Sequence, residues 1–319
     1  MVDNALVREV GLRDGLQMIG TFMPTAQKQQ WIDRCCAAGF TELEVCSFVP
    51  TKYIPQFADA EAVVRHSRAK KGLVAATLVP NLKGAQRALE AGAGKLVCII
   101  SATESFSQAN LRRSKRHSME ELTQIVRLRD EFAADHARVP IQVGISVAFG
   151  CPFEGQVADT VVCEAALAAV RFGADEISLA DTAGQGDPAQ VRRVFTILRK
   201  ELPELGLSGH FHDTRGLGLA NVFAALDAGV RAFDASTAGL GGCPNSPGAT
   251  GNVATEDLVF MLEALGLNTG IDIRLLLEIR KFVRECLPGV HTSGHVGVVG
   301  LPKGFQPARL QNTHLEPAP

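Results

Sequence analysis

Hydrophobic positions along the chain follow two alternating patterns. Short and nearly continuous apolar runs, such as LVCII at 96–100, are typical of strands buried on both faces of a parallel sheet. Between these runs, apolar residues recur at the spacing of amphipathic helices. The runs predict strands at 5–10, 43–48, 73–79, 95–101, 141–149, 176–179, 207–212 and 232–236. The stretches between and after them predict helices around 25–38, 58–69, 81–92, 118–136, 157–172, 188–202, 216–229 and 254–265.

Eight strand–helix units predict a (β/α)8 TIM barrel, which typically takes ~250 residues. An open doubly wound sheet is the alternative, but it usually has fewer strands and often carries GxGxxG after the first one. GLRDG at 11–15 does not match that loop. We therefore expect residues 1–270 to form the barrel. Residues 271–319 are expected to add a helix at about 272–286 and a Pro/Gly-rich tail, packed on the barrel without a separating linker.

Composition narrows the class of protein. The chain has 319 residues and a net charge of -2, which argues against binding to nucleic acid or to a membrane surface. No apolar run approaches the ~18 residues that a membrane span needs, and the first residues, MVDNA, lack the features of a secretory signal. Eight cysteines without a CxxC pair favour a reducing compartment, so we expect a cytoplasmic protein.

Polar residues at the predicted strand ends suggest a metal site. In TIM barrels, the active site lies at the carboxyl ends of the strands. His210 and His212 lie two residues apart on one strand and therefore face the same side. A hydrogen-bonded pair of core histidines would fit that spacing equally well. With Asp14, Glu44 and Asp181 at neighbouring strand ends, however, a divalent cation is favoured. These ligand types suit Mg²⁺ or Mn²⁺ better than Zn²⁺.

Two further features carry candidate chemistry. Arg13 and Asp14 end a buried strand, where charges need a partner, a metal or a substrate anion, and Glu44 is either an ion-pair partner of Arg13 or part of the site. The loop at 239–252 contains five glycines, which let backbone approach a ligand closely. Cys243 within it is either an acid–base thiol or an ordinary loop residue. His291 and His295 in the tail are expected to be surface residues.

Several motifs closely resemble those of the 3-hydroxy-3-methylglutaryl-CoA lyases, in the same order along residues 6–270. They are VGLRDGLQ at 10–17, EVCSFVPTK at 44–52, CPFEG at 151–155, EISLADT at 176–182, HFHDT at 210–214 and AGLGGCPNSPGATGNVATEDLVFML at 238–262. The resemblance implies a metal-dependent TIM-barrel lyase that uses Mg²⁺ or Mn²⁺ and is related to isopropylmalate and homocitrate synthases. Its implied reaction is retro-Claisen cleavage of a 3-hydroxy-3-methylglutaryl-CoA-like thioester. The implied products are acetyl-CoA and a keto acid (acetoacetate for the parent substrate), as in leucine degradation.

The resemblance also assigns roles to individual residues of this chain. It implies a metal site made by Asp14, His210, His212 and Asn252, with Glu44 close by. Arg13 would stabilise the enolate, Asp14 or His210 would accept the hydroxyl proton, and Cys243 would take part in proton transfer. The implied substrate-binding residues are Gln17, Ser47, Asn110, Gly144, Ser146, Ser178, Asp181 and Thr182. The implied partner is an acyl-CoA, and the implied assembly is a homo-oligomer, either a dimer or a tetramer.

Three positions depart from the family pattern, and none of them is an implied metal ligand. Leu12 replaces a usual proline, Asn245 stands where an aromatic residue is common, and Gly144 stands where we expect a tyrosine. Without that tyrosine, the resemblance does not determine which acyl group the substrate carries. The pocket either accepts a different thioester, such as citramalyl-CoA or a longer branched homologue, or is refilled by a nearby side chain such as Phe149 or Phe153.

Other functions remain as alternatives at this point. A condensing synthase of the same superfamily would carry a different glycine-rich loop and an additional regulatory region, for which this chain is too short. An aldolase acting on a 2-oxo acid would need no CoA. A non-catalytic binding barrel is expected to have lost at least one of Arg13, Asp14, His210, His212 and Cys243, and this chain retains all of them.

Overall fold

A computed structural model describes residues 3–242 and 251–311 of the chain. Its parallel strands pair in sequence order and the last pairs with the first, so the sheet closes into the predicted TIM barrel. The strands are β1 (Leu6–Glu9), β2 (Glu42–Ser47), β3 (Val74–Leu78), β4 (Lys95–Ser101), β5 (Ile141–Ser146), β6 (Glu176–Asp181), β7 (Gly206–Phe211) and β8 (Ala232–Ala235). The helices are α1 (Thr25–Ala37), α2 (Ala60–Arg68), α3 (Leu82–Ala91), α4 (Glu104–Phe106), α5 (Lys115–Phe132), α6 (Asp159–Arg171), α7 (Pro188–Glu201), α8 (Gly218–Asp227), α9 (Thr255–Ala264), α10 (Ile273–Cys286), α11 (Val296–Val299) and α12 (Ala308–Gln311).

Most element boundaries fall close to those predicted from the sequence, and among the strands β5 shows the largest difference. The apolar run predicts a strand to residue 149, but β5 ends at Ser146. Val147 has a φ of 50°, which lies in the left-handed region and breaks the extended backbone. Its N–H donates instead to the Thr182 hydroxyl at 2.9 Å. The chain therefore turns at the carboxyl end of β5, which shapes the rim of the barrel.

The outward faces of the strands pack against the helices as an apolar layer. Along β5, Ile141, Val143 and Ile145 alternate and are completely buried. Trp31 on α1 is also fully buried. Burying side chains of this size contributes ~1.5–3 kcal/mol each, so this layer supplies the main driving force for folding.

The inward face of the lower barrel holds a network of ion pairs. Arg8 on β1 places Nε 2.8 Å from Glu42 Oε1, and its Nη2 donates to Glu176 Oε2 at 2.6 Å. Lys95 on β4 reaches the same two carboxylates, at 2.8 Å from Glu42 and 2.6 Å from Glu176. The network thus joins strands β1, β2, β4 and β6 across the interior.

The segment after the barrel packs against it through α10 and the chain that follows. The guanidinium of Arg34 on α1 stacks over Phe282 of α10, at 4.5 Å from the ring centroid. Arg280 donates to the Ser293 carbonyl at 2.7 Å, and the Ser293 N–H donates to the carbonyl of Ala238. These hydrogen bonds hold the chain at Ser293 against the loop that follows β8.

Two other features of the described chain bear on its class. None of its helices has the length and apolarity needed to cross a bilayer. Seven of its cysteines lie in the described ranges, and all seven are free thiols.

The interior ion network predicts a specific loss of stability. Glu42→Gln removes the negative charge shared by Arg8 and Lys95, and both cations stay buried. Breaking a buried pair costs roughly 3–5 kcal/mol, and because Glu176 still pairs with both cations we expect the lower end, about 3 kcal/mol. We expect urea denaturation followed by circular dichroism to show a loss of this size.

Glu61→Gln is the matched control, because its partner Arg87 is partly exposed. Exposed pairs contribute roughly 0–1 kcal/mol, so this variant should unfold close to the wild-type midpoint. An equal loss in both variants would contradict a stabilising role for the interior network.

Candidate active site

A cavity of about 660 Å³ occupies the carboxyl end of the barrel. That volume lies within the ~300–1,000 Å³ typical of small-molecule sites. Its lining includes the charged residues Arg13, Asp14 and Glu44 and the two histidines, His210 and His212. The cavity is therefore the place where the strand-end residues predicted from the sequence meet.

The turn after β1 brings Arg13 and Asp14 into this cavity. Residues Gly11–Gly15 form one π-helical turn, in which the Val10 carbonyl accepts hydrogen bonds from the N–H groups of residues 13, 14 and 15. The turn is possible because Gly11 carries no side chain: a Cβ there would lie 2.5 Å from Glu9 Oε1 and 2.8 Å from the Trp31 ring. Tight packing under the turn thus fixes the direction of the two charged side chains.

Arg13 is held between two carboxylates. Its Nη1 donates to Asp14 Oδ1 at 2.5 Å, and its Nη2 lies 2.7 Å from Glu44 Oε2. Burial opposes the charge on Arg13, but Glu44 and Asp14 outweigh it and raise the guanidinium pKa. Burial also opposes the charged form of Glu44, and it therefore raises the pKa of that carboxyl group. Both expected roles of Glu44 are geometrically compatible, because it pairs with Arg13 and also lines the cavity.

Asp14, His210 and His212 form a cluster suited to a metal ion. His210 Nε2 lies 3.2 Å from His212 Nε2, and Asp14 Oδ2 lies 4.0 Å from the first nitrogen and 3.7 Å from the second. All three residues are buried. Burial tends to raise the pKa of Asp14, but Arg13 and the two imidazoles outweigh it and lower that pKa, so the group remains a carboxylate. The same-face geometry expected of the two histidines is thus realised inside the barrel.

Asn252 is placed beside this cluster by backbone pairing. It forms a bridge with His212, since the chain at 251–253 runs antiparallel to the end of β7. Its Nδ2 donates to Asp14 Oδ2 at 2.7 Å and to the Leu240 carbonyl at 3.0 Å. Its Oδ1 is buried and accepts no hydrogen bond from the described residues.

These donor atoms fit a divalent cation. Ligands of Mg²⁺ lie ~2.0–2.1 Å from the ion, so pairs of donor atoms on one ion are ~3–4 Å apart, as in this cluster. A buried carbonyl oxygen without a donor is costly unless it meets a cation or water, and within the described ranges Asn252 Oδ1 is such an atom. A carboxylate, an amide oxygen and two imidazoles suit Mg²⁺ or Mn²⁺.

Asp234 on β8 is a cavity residue that the sequence reasoning missed. Its Oδ2 lies 3.2 Å from His210 Nδ1. Burial lowers the pKa of His210, but the hydrogen bond to Asp234 and the charge of Asp14 outweigh it, so the pKa is raised. An aspartate in the short run AFDA carries no sequence signal of its own, and only its pairing with β7 reveals the contact.

Most of the implied substrate-binding residues lie around the cavity. Those in its lining are Gln17, Ser47, Asn110, Gly144, Ser146, Ser178 and Thr182. Gln17 donates to Asp14 Oδ1 at 2.7 Å and therefore supports the cluster. Asp181 is different: it is fully buried outside the described lining, where its carboxylate accepts the N–H groups of Gln185 and Gly186. It holds the turn after β6.

The space beside Gly144 is filled from the neighbouring strand. A Cβ on Gly144 would lie 2.8 Å from Ile99 Cδ1, and these two residues are paired in the β4–β5 register. The suggestion that Phe149 or Phe153 fills this space was wrong. Phe149 packs against Phe195 at 6.2 Å between ring centroids, and Phe153 is 53% exposed. Ile99 takes their place because cross-strand register, and not closeness in sequence, sets the neighbours of a barrel residue.

Four other positions named from the sequence remain to be placed. Cys243, the suggested acid–base thiol, lies outside the described residues, as does Asn245. The glycine before Cys243, Gly242, lines the cavity rim. His291 and His295 are both exposed.

Comparisons with known proteins agree on one family. The HMGL-like family model matches residues 5–283. The chain is 40% identical over 273 residues to the hydroxymethylglutaryl-CoA lyase of Pseudomonas mevalonii, which covers 86% of this chain and 89% of that protein. It is 41% identical over 270 residues to a 3-hydroxy-3-isohexenylglutaryl-CoA/hydroxymethylglutaryl-CoA lyase of Pseudomonas aeruginosa, covering 85% and 88%.

A solved structure extends the similarity to three dimensions. It is that of an HMG-CoA lyase from Acinetobacter baumannii in complex with coenzyme A and 3-methylmalate. The TM-score is 0.89 at 38% sequence identity, and the match covers 96% of this chain and 98% of that one. The likeness therefore extends over nearly the whole chain.

The cluster predicts metal binding that can be measured without any substrate. We expect the protein to bind Mn²⁺, as followed by loss of the electron paramagnetic resonance signal of the free ion. His212→Ala removes one of the grouped donor atoms, so the dissociation constant should rise about tenfold or more. His295→Ala, at an exposed position in the tail, is the control and should bind as the wild type does. Equal affinity in the two variants would rule out this cluster.

Proposed function

The chain belongs to the HMGL-like family, and we propose from this premise that it cleaves 3-hydroxy-3-methylglutaryl-CoA to acetyl-CoA and acetoacetate. It is a carbon–carbon lyase. The family uses a divalent metal, and we propose Mg²⁺ or Mn²⁺ as the ion of this protein. An acyl-CoA thioester is the substrate class that this activity requires.

One observation carries the proposal. The Asp14–His210–His212 cluster and the Arg13 guanidinium lie side by side in one cavity, joined by the 2.5 Å contact between Arg13 and Asp14. A retro-Claisen cleavage needs both elements, because it must ionise an alcohol and stabilise a carbanion. The arrangement places the groups suited to these two steps next to each other.

Asp14, His210, His212 and Asn252 would hold the ion, which would polarise the C3 hydroxyl of the substrate and lower the pKa of that alcohol. Asp14, or His210 when its Nε2 is not bound to the ion, accepts the hydroxyl proton as the C–C bond breaks. The departing fragment is the enolate of acetyl-CoA. Arg13 stays cationic beside Glu44 and Asp14 and stabilises the charge that develops on the enolate oxygen. We propose Cys243 as the acid that protonates the enolate carbon.

A second substrate class is worth testing because of Gly144. The Pseudomonas aeruginosa relative is named for both a methyl and an isohexenyl substituent at C3, so relatives of this kind accept different acyl groups. In this chain, the Ile99 side chain lies over Gly144 and limits the space in the cavity. We therefore propose the methylglutaryl thioester as the preferred substrate, ahead of citramalyl-CoA and longer branched homologues.

Two further proposals concern assembly and location. We propose a homo-oligomer, a dimer or a tetramer, which light scattering after size-exclusion chromatography will determine. We also propose a cytoplasmic location. Names of the relatives include both cytoplasmic and mitochondrial enzymes, so fractionation of the source cells is the appropriate test.

The activity itself has a direct test. Incubating the protein with 3-hydroxy-3-methylglutaryl-CoA and Mg²⁺ should yield acetyl-CoA and acetoacetate, identified by mass. Exhaustive chelation should abolish turnover, and Mg²⁺ or Mn²⁺ should restore it. Full activity after chelation, or no cleavage with either metal, would overturn the proposal.

Arg13 should act on the transition state more than on substrate binding, because the enolate charge exists only once the bond breaks. Arg13→Met should lower kcat by roughly 10²–10³ while KM changes little. Arg116→Met, at an exposed position on α5, is the matched control and should leave both constants unchanged. A change confined to KM would show that Arg13 only holds the substrate.

The pair of Ile99 and Gly144 predicts a change of selectivity. Ile99→Ala should open the wall of the cavity and favour a thioester with a longer C3 substituent. A pocket that gains space for a methylene or two shifts discrimination by roughly tenfold or more in kcat/KM. Ile100→Ala is the control, since Ile100 is buried outside the cavity lining and loses the same volume. It should cost stability and leave the ratio unchanged. An unaltered ratio in Ile99→Ala would show that another residue limits the acyl group.

A further inference from the structure

Asp234 is a buried carboxylate for which the proposed reaction assigns no role. It is paired in register with His210 on β7 and with Arg8 on β1. The three side chains therefore stand side by side across neighbouring strands, and each is at most 8% exposed. Residues in such a layer contact one another because adjacent strands lie only ~4.8 Å apart.

The contact between Asp234 and His210 decides which imidazole nitrogen carries the proton. Asp234 Oδ2 lies 3.2 Å from His210 Nδ1. A carboxylate accepts hydrogen bonds and does not donate them, so Nδ1 is the protonated nitrogen of the neutral ring. The lone pair then lies on Nε2, which is the atom that faces His212 at 3.2 Å and Asp14 at 4.0 Å.

His212 lacks such a partner among the described residues. Its Nδ1 is buried and makes no hydrogen bond there. The two histidines of the cluster are thus held differently: His210 by a carboxylate behind the ring, and His212 by the bridge of its backbone with Asn252. This difference singles out Asp234.

The carboxylate of Asp234 also contacts the ion network of the lower barrel. Arg8 Nη1 lies 3.8 Å from Asp234 Oδ1. Arg8 in turn is fixed by Glu42 and Glu176, at 2.8 Å and 2.6 Å. A chain of charged contacts therefore runs from the lower ion network to the nitrogen of His210, and leaves Asp234 little freedom to turn away.

We propose that Asp234 is a positioning residue of the metal centre: it accepts the Nδ1 proton of His210 and so keeps Nε2 directed at the Asp14–His212 cluster as a ligand. The inference rests on the proposed function only in requiring a divalent cation at that cluster. Carboxylates behind ligating histidines typically change metal affinity by ~10–100-fold when they are removed.

The proposal is tested by binding and not by turnover. Mn²⁺ affinity is measured by electron paramagnetic resonance for the wild type, Asp234→Ala and Asp234→Asn. Asp234→Ala should bind roughly 10–100-fold more weakly. Asp234→Asn retains an acceptor oxygen at the same position and should recover part of that loss. Glu61→Gln is the control, because Glu61 pairs with Arg87 outside this chain of contacts, and its affinity should stay at the wild-type value.

A second measurement needs no variant of Asp234 and so does not depend on its folding. In the metal-free wild type labelled with ¹⁵N-histidine, His210 should show the tautomer with the proton on Nδ1, with His210→Gln used to assign the signal. A proton on Nε2, or Mn²⁺ affinity of Asp234→Ala within twofold of wild type, would overturn the inference. Failure of the wild type to bind Mn²⁺ would instead overturn the metal centre of the proposed function.

Discussion

Charge balance inside the closed barrel is the constraint on which this structure depends. The described residues of the lower network and the cluster above it include three cations, Arg8, Arg13 and Lys95. They also include five carboxylates, Asp14, Glu42, Glu44, Glu176 and Asp234. With neutral imidazoles, the set carries an excess of two negative charges. Buried charge without compensation costs several kcal/mol per ion, so this set of residues favours a bound cation. The divalent ion that we propose at Asp14, His210 and His212 would supply two positive charges.

The same constraint explains how stability and chemistry share one interior. Near the amino ends of the strands, Arg8 and Lys95 pair with two carboxylates each at distances of 2.6–2.8 Å. Near the carboxyl ends, Arg13 is shared between Asp14 and Glu44, while Asn252 Oδ1 accepts no hydrogen bond from the described part of the chain. The lower layer is therefore mainly structural, although Arg8 and Glu42 also line the cavity, and the upper layer holds the groups proposed for the reaction. This division matches the general separation of stabilising and catalytic faces in TIM barrels.

The sequence was sufficient for the order of the elements and for the residues that motif positions carry. Apolar runs predicted every strand, and the spacing of His210 and His212 predicted their shared direction because side chains alternate along a strand. The sequence did not predict the side-chain contacts that depend on the register between neighbouring strands. Asp234 meets His210 only because β8 pairs with β7, and Ile99 covers Gly144 only because β4 pairs with β5. Asp181 shows the converse: a carboxylate at the expected strand end is used by two backbone N–H groups of its own turn.

The positions of these pairs also separate the reaction from the choice of substrate. Arg13, Asp14 and the histidines belong to β1, β7 and the chain directly after them, whereas Ile99 and Gly144 belong to β4 and β5 on another side of the cavity. A change at Ile99 alters the volume beside the acyl group and touches none of the charged contacts. Since a buried charge tolerates few substitutions and an apolar wall tolerates many, selectivity can change in this family while the charged layer stays constant. A relative at 41% identity whose name includes both a methyl and an isohexenyl thioester is what that separation leads one to expect.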